Sequence, residues 1–167
     1  MTTIATTTKV KERLLTLVNG LLGFEHLSKF SLSMYAPNTP FYWLKSLEDK
    51  DLQFIVIEPQ YVVEDYIFDI SDEDAKDIGI YDPTKVFVLV IVCVPEDPSK
   101  MTVNLMGPLV FNSETGVGKQ IVLHGSNFPI QFPLFPDGIP GVSAEDIKKV
   151  ILAEREILEK EENLKNN

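Results

Sequence analysis

The sequence contains very little cysteine and histidine. Cys93 is the single cysteine among 167 residues, so an internal disulfide is excluded and a reducing compartment is favoured. Free cysteine is commonly buried, and Cys93 lies in an apolar run, which predicts a structural side chain rather than a catalytic one. The two histidines, His26 and His124, lack the spacing of a zinc site. Both are expected at the surface or in loops.

Basic charge and long apolar runs are also scarce. The chain has 25 acidic against 15 basic residues and a formal net charge of −10. Direct nucleic-acid binding requires a basic face and is therefore not expected, whereas an acidic surface is compatible with a basic protein partner. A membrane helix needs about 20 apolar residues. The run at 86–94 is too short for that, and 14–18 is too short for a signal peptide. A cytoplasmic location is expected.

The apolar run at 86–94 predicts the central strand of the fold. Five of its nine residues are valine, and β-branched side chains favour strands. A continuous apolar run is typical of a strand covered on both faces. The prolines Pro95 and Pro98 end it.

Most other apolar segments are short and separated by turn residues, which predicts an all-β, mainly antiparallel fold. The predicted strands lie at 9–18, 41–46, 52–57, 61–68, 101–106, 109–111 and 120–123. The pattern of 9–18 also fits a helix, but the strand-like remainder of the chain favours a strand.

Two segments predict helices. Ser71 and the acids after it form an N-cap, and Gly79 is a typical C′ residue, so a short helix is expected near 72–78. A second capping pattern at Ser143 opens an apolar stripe at helical spacing, which predicts a helix near 144–164. The predicted organisation is one domain at 1–136, a Pro/Gly joint at 137–142 and a helical extension at 143–167.

No motif reaches the level of an enzyme signature. Residues 116–120 resemble a phosphate loop but lack its first glycine, its Ser/Thr and the following helix, so a hairpin turn is favoured. The acids at 72–77 lack the glycine and distal glutamate of a calcium loop. No metal, cofactor or catalytic residue is predicted. The alternatives left open are a small-molecule-binding β-barrel and an uncharacterised enzyme.

Several motifs resemble those of the flagellar assembly factor FliW family. Residues 20–25 (GLLGFE) resemble its GLPGFE corner, and 40–49 (PFYWLKSLED) resemble its PFLWLQSLDD. Residues 102–112 (TVNLMGPLVFN) are similar to TVNLLAPIVIN, and 118–123 (GKQIVL) to GRQVIL. The motifs occur in the family's order. Leu22 departs from the pattern, since it stands where the family often has proline.

The resemblance implies a compact antiparallel β-barrel without catalytic activity. Proteins of this family bind flagellin in the cytoplasm and also bind the RNA-binding translational repressor CsrA. Bound CsrA no longer represses flagellin translation, and accumulating flagellin removes the FliW protein from it. The resemblance thus implies two protein partners, flagellin and CsrA, with no direct binding of nucleic acid or membrane.

The most distinctive motif supplies the first candidate contact residues, although a paired strand and its turn explain them equally well. They are Asn104, Leu105, Pro108 and Val110. An apolar groove with an acidic rim is expected for an amphipathic flagellin helix. The candidates for that rim are Glu25, Glu64, Asp65 and Asp69. The 144–164 helix is expected to fold onto a groove of its own chain or to mediate self-association.

Overall fold

The computed structural model describes residues 2–5, 11–36 and 39–134. These residues form eleven strands and one α-helix, with 3-10 turns at Pro59–Tyr61 and Pro98–Lys100. The strands before the helix are β1 Thr2–Ala5, β2 Arg13–Leu17, β3 Lys29–Met34, β4 Phe41–Ser46, β5 Gln53–Ile57 and β6 Ile67–Ile70. The helix α1 is Asp72–Asp77. The strands after it are β7 Val86–Cys93, β8 Thr102–Val103, β9 Leu109–Asn112, β10 Val117–Gln120 and β11 Phe132–Pro133.

Seven strands close into a barrel. The order is β7-β5-β4-β3-β2-β10-β9, and β9 pairs again with β7 to complete the ring. Every pair in the ring is antiparallel except β2 with β10, which are parallel. The prediction of an all-β, mainly antiparallel barrel is confirmed, including a strand within the ambiguous 9–18 segment. Closure leaves no free edge in the ring.

The barrel interior is filled by apolar side chains. Alternate residues of each strand point inward, as the pleat requires. Phe87 and Phe111 stack in this core with ring centroids 5.0 Å apart. The other buried members are Leu15, Leu17, Leu21, Leu27, Phe30, Leu32, Leu44, Val56, Leu89 and Leu109. Burial of such side chains contributes about 1.5–3 kcal/mol each, so this cluster is a main source of stability.

A second layer covers one outer face of the barrel. β1 and β6 form a separate antiparallel pair, and α1 follows β6 directly. Ile4, Phe68 and Ile70 from this layer join one buried cluster with Val86, Val88 and Val90 of β7, among others. The strand β7 is therefore buried on both faces, as predicted from its continuous apolar run.

The predicted short helix is confirmed. The Asp74 amide donates to Ser71 Oγ at 3.0 Å, and Gly79 follows the helix with φ +68°. Lys119 of β10 attaches α1 to the barrel through ion pairs with Asp74 (2.8 Å) and Asp77 (2.9 Å). The helix is therefore held by its own cap and by a neighbouring strand.

Cys93 is not buried, contrary to the sequence prediction. It is the last residue of β7 and is exposed. Phe87, Leu89 and Cys93 share the inward face of β7, but the barrel ends at Cys93, so its side chain emerges at the rim. Strand alternation thus decides the direction of this side chain, and its position along the strand decides its exposure.

Three predicted segments differ from the observed elements. The stretch predicted as extended from 61 begins inside a 3-10 turn, and its strand is Ile67–Ile70. The strand predicted at 101–106 is limited to Thr102–Val103. The strand predicted at 120–123 is Val117–Gln120, so the hairpin turn precedes it. The joint 137–142, the helix 144–164 and the extension boundary lie outside the described residues.

Within the described part of the chain, no helix is long and apolar enough to cross a membrane.

Candidate functional site

The main candidate site is a cleft at one end of the barrel, here called the corner cleft. Its volume is about 320 Å³. Its apolar lining comes from the 19–24 corner, from β5 and β7, and from the segment before β11. Its lining includes Leu22, Phe24, Cys93, Asn104, Gln120 and Ile130. None of its described lining residues is charged, so the cleft is suited to binding an apolar surface rather than to acid–base chemistry.

The corner owes its shape to left-handed backbone at consecutive residues. Asn19 and Gly20 both have φ +64°. A Cβ on Gly20 would lie 2.7 Å from the carbonyl oxygens of Glu25 and Leu27, so only glycine fits there. The turn buries Leu21 and leaves Leu22 61% exposed. The Gly-Leu-Leu-Gly sequence at 20–23 therefore places the apolar side chain of Leu22 at the mouth of the cleft.

The opposite wall is a loop inserted between β8 and β9. Leu89 of β7 pairs with Leu109 of β9, and Val92 of β7 pairs with Val103 of β8. Two residues lie between Leu89 and Val92, whereas five lie between Val103 and Leu109, so the extra residues form the inserted loop. The side-chain oxygen of Asn104 accepts hydrogen bonds from the amides of Met106 and Gly107, each at 3.0 Å. This Asx-type turn satisfies two amides that the interrupted ladder cannot pair.

Gln120 joins the two walls of the cleft. Its side-chain oxygen accepts from the Leu22 amide at 2.9 Å, and its side-chain nitrogen donates to the Gly107 carbonyl at 3.2 Å. Sequence reasoning missed this role, because Gln120 was considered as part of a strand, of an incomplete phosphate loop and of a family motif, and not as a residue joining two loops. The signal that could have found it is its place in the GKQIVL motif at 118–123.

The four candidate residues of the 102–112 motif do not form one exposed patch. Asn104 lines the corner cleft, whereas Leu105, Pro108 and Val110 are buried. The Leu105 carbonyl accepts from the buried Tyr66 hydroxyl, and the Pro108 carbonyl accepts from the Ile121 amide at 2.9 Å. These contacts give the motif a structural role as an inserted turn. Partner contact by the four residues remains a prediction.

The four candidate acids are all exposed, but they do not meet in one cleft. The Glu25 carboxylate accepts from the Gly23 amide at 3.1 Å, and this backbone hydrogen bond lowers the pKa of Glu25. Asp69 accepts from the Thr3 hydroxyl at 2.6 Å. Glu64 and Asp65 lie in the turn before β6. None of the four lines the corner cleft. Their role as an acidic rim remains a prediction.

Asp69 lines a different depression, here called the side cleft. It has a volume of about 460 Å³ and lies between the β6–α1 junction and residues 121–128. Asp74 and His124 are also in its lining. Among the described residues, no group of three or more His, Cys, Asp or Glu side chains could hold a metal ion. The side cleft is the more acidic of these two surfaces.

The similar proteins described here are all named flagellar assembly factor FliW. The profile of the family described as "FliW protein" matches residues 1–134. The flagellar assembly factor FliW of Natranaerobius thermophilus is 38% identical over 128 residues, covering 76% of this chain and 85% of that protein. The FliW of Thermosipho africanus is 40% identical over 125 residues, covering 74% and 86%. A crystal structure of a flagellar assembly factor FliW aligns with TM-score 0.69 at 29% identity, covering 81% of this chain and 99% of that one.

Proposed function

Because this chain belongs to the FliW family of flagellar assembly factors, we propose that it is a non-enzymatic, cytoplasmic binding protein with two partners. It binds flagellin as a chaperone, and it binds the RNA-binding repressor CsrA. Sequestering CsrA relieves repression of flagellin translation, and flagellin that accumulates takes the protein back from CsrA. The two equilibria together form a partner switch.

The observation that carries the flagellin half of the proposal is the corner cleft. Leu22 and Ile130 at its mouth are each 61% exposed. Exposed apolar side chains around a cleft are typical of a protein-binding surface. An amphipathic helix, which is the form expected for flagellin's terminal segments, can bury both side chains with its apolar face.

The charge of the protein supports the CsrA half of the proposal. The net charge is −10, and Glu64, Asp65 and Asp69 are exposed around the start of β6. An anionic surface attracts a basic RNA-binding protein and repels RNA. Such complementarity increases the association rate and partner specificity more than it increases affinity.

Calorimetry with purified flagellin and purified CsrA tests the proposal. We expect micromolar or tighter binding to each, and absence of binding to both would overturn it. The double variant Leu22→Gln/Ile130→Gln should weaken flagellin binding about tenfold or more, since each lost apolar contact is worth about 1 kcal/mol. Leu47→Gln is the matched control, because Leu47 is 54% exposed and is not part of the corner cleft.

The filled barrel interior counts against the small-molecule alternative. A ligand-binding barrel needs an internal cavity with convergent polar groups. Here the interior positions are occupied by twelve buried apolar residues. The named relatives are called assembly factors, which agrees with a role other than catalysis.

A further inference from the structure

The corner cleft presents apolar surface that the described residues leave uncovered. Leu22 and Ile130 stand at its mouth, and Phe24 and Cys93 lie in its lining. We propose that this cleft is occupied in cis by the amphipathic segment 143–164 of the same chain. The segment's predicted stripe of Ile147, Val150, Ile151, Ile157 and Leu158 supplies the apolar face.

The place where the described chain ends favours this occupant. Ile130 and Gln131 belong to the cleft wall. Immediately after them, β11 pairs with β8 through Phe132 to Val103 and Pro133 to Thr102, and Thr102 also lines the cleft. The described part of the chain therefore ends next to β11, one strand away from the cleft residue Thr102. Neighbouring strands are about 4.8 Å apart.

The tether is long enough to deliver the segment. Eight residues, 135–142, separate Leu134 from Ser143, and eight extended residues span at most about 28 Å. A short tether of this kind gives an effective concentration of about a millimolar. Even a weak docking interaction is then substantially populated.

Charge favours the corner cleft over the side cleft. Segment 143–164 contains seven acidic and four basic residues. The side cleft is lined by two carboxylates, Asp69 and Asp74, which repel an acidic segment. The corner cleft has an uncharged described lining. The segment also lies beyond residue 134, where the match to the family profile ends.

Cys93 provides a direct test in the full-length protein. It is the single cysteine and lines the corner cleft, so a thiol reagent such as DTNB reports on this site alone. If the segment is docked for nine-tenths of the time, Cys93 should react with the reagent about tenfold more slowly than in the undocked protein. The variant Ile151→Gln/Leu158→Gln, which removes two stripe residues, should accelerate it several-fold. Lys149→Gln/Glu156→Gln is the matched control, because these residues lie on the opposite face of the predicted helix and the double change leaves the net charge unaltered.

The outcomes are distinct. Equal Cys93 rates in the parent, the stripe variant and the control overturn the proposal, provided that circular dichroism shows the same fold. Protection that increases with protein concentration also overturns it, because a second copy would then be the occupant. Protection that is independent of concentration and lost only in the stripe variant supports it. The assay contains neither flagellin nor CsrA, so its failure is separate from failure of the proposed function.

A regulatory consequence follows and rests on the proposed function. If flagellin uses the same cleft, the docked segment competes with it, and the stripe variant should bind flagellin several-fold more tightly than the parent in calorimetry. Unchanged flagellin affinity together with a faster Cys93 reaction would assign flagellin to another surface and leave the cis docking intact.

Discussion

Asn104 belongs to the most distinctive sequence motif, and the role that the structure shows for its side chain is to stabilise the fold. Its side chain closes the inserted loop that forms one wall of the corner cleft. The amides of Met106 and Gly107 depend on this one oxygen for their hydrogen bonds. The sequence identified the motif, but the role of the side chain depends on a loop whose length was decided by strand pairing.

We expect Asn104→Ala to lower the free energy of unfolding by about 1–3 kcal/mol, because it leaves two loop amides without their acceptor. Asn104→Asp keeps the accepting oxygen and is the control, with a smaller loss. Urea titration followed by fluorescence measures both. Equal stability of the alanine variant and the parent would show that water replaces the side chain at no cost.

Gly118 is a second position where a single atom matters. Its backbone is packed against β9, and a Cβ would lie 2.3 Å from Phe111 Cδ1 and 2.6 Å from the Val110 carbonyl oxygen. Gly118→Ala should therefore destabilise the barrel by about 1–3 kcal/mol through overpacking. Gly125→Ala is the comparison, since no atom lies within 4 Å of its added Cβ. Its loss should be limited to about 1 kcal/mol of left-handed backbone strain. Thermal unfolding of both variants measures the difference.

At the scale of elements, the local sequence specifies the helix α1, whereas contacts with a distant strand attach this helix to the barrel. Ser71 and Gly79 define its ends from sequence alone. Its attachment to the barrel depends on Lys119, whose side chain is 19% exposed and contacts Asp74 and Asp77. That pairing joins residues more than forty positions apart and could not be read from local pattern.

Hydrogen bonds to Asp74 and then Asp77 raise the pKa of Lys119. A raised lysine pKa stabilises the folded state fully below the unfolded pKa of about 10.4, and the stabilisation is lost as pH rises through the folded value. Lys119→Met should thus cost about 1 kcal/mol near neutral pH, and its difference from the parent should shrink above about pH 10.5. Melting temperatures from pH 7 to 11 measure this.

Lys85→Met is the control for that series. Lys85 pairs with Glu114 at 3.5 Å, and both side chains are more than half exposed. Exposed pairs contribute little, so this variant should differ from the parent by less than about 0.5 kcal/mol at every pH. A Lys119 effect no larger than the Lys85 effect would contradict the assigned role.

At the scale of the whole molecule, the acidic surface and the apolar cleft predict different responses to salt. Raising ionic strength from about 0.05 to 0.5 M shortens the Debye length from roughly 14 to 4 Å. If the proposed CsrA complex depends on the anionic surface, we expect it to become weaker and to associate more slowly. The proposed flagellin complex in the apolar cleft should change little. Surface plasmon resonance at both salt concentrations measures the two rates. Equal salt dependence for both partners would contradict this division.

The sequence by itself determined the secondary structure class, the buried central strand β7, the capped helix α1 and, through its motifs, the family. These features follow from local periodicity, from turn and capping chemistry, and from ordered motifs. Each of these patterns depends on residues that are close together in the sequence. Only the tertiary structure decided that β2 and β10 pair in parallel to close the barrel, that Cys93 is exposed at its rim, and that Gln120 joins the two walls of the corner cleft. Each of these depends on contacts between distant residues, and barrel closure, not local preference, fixes which distant residues meet.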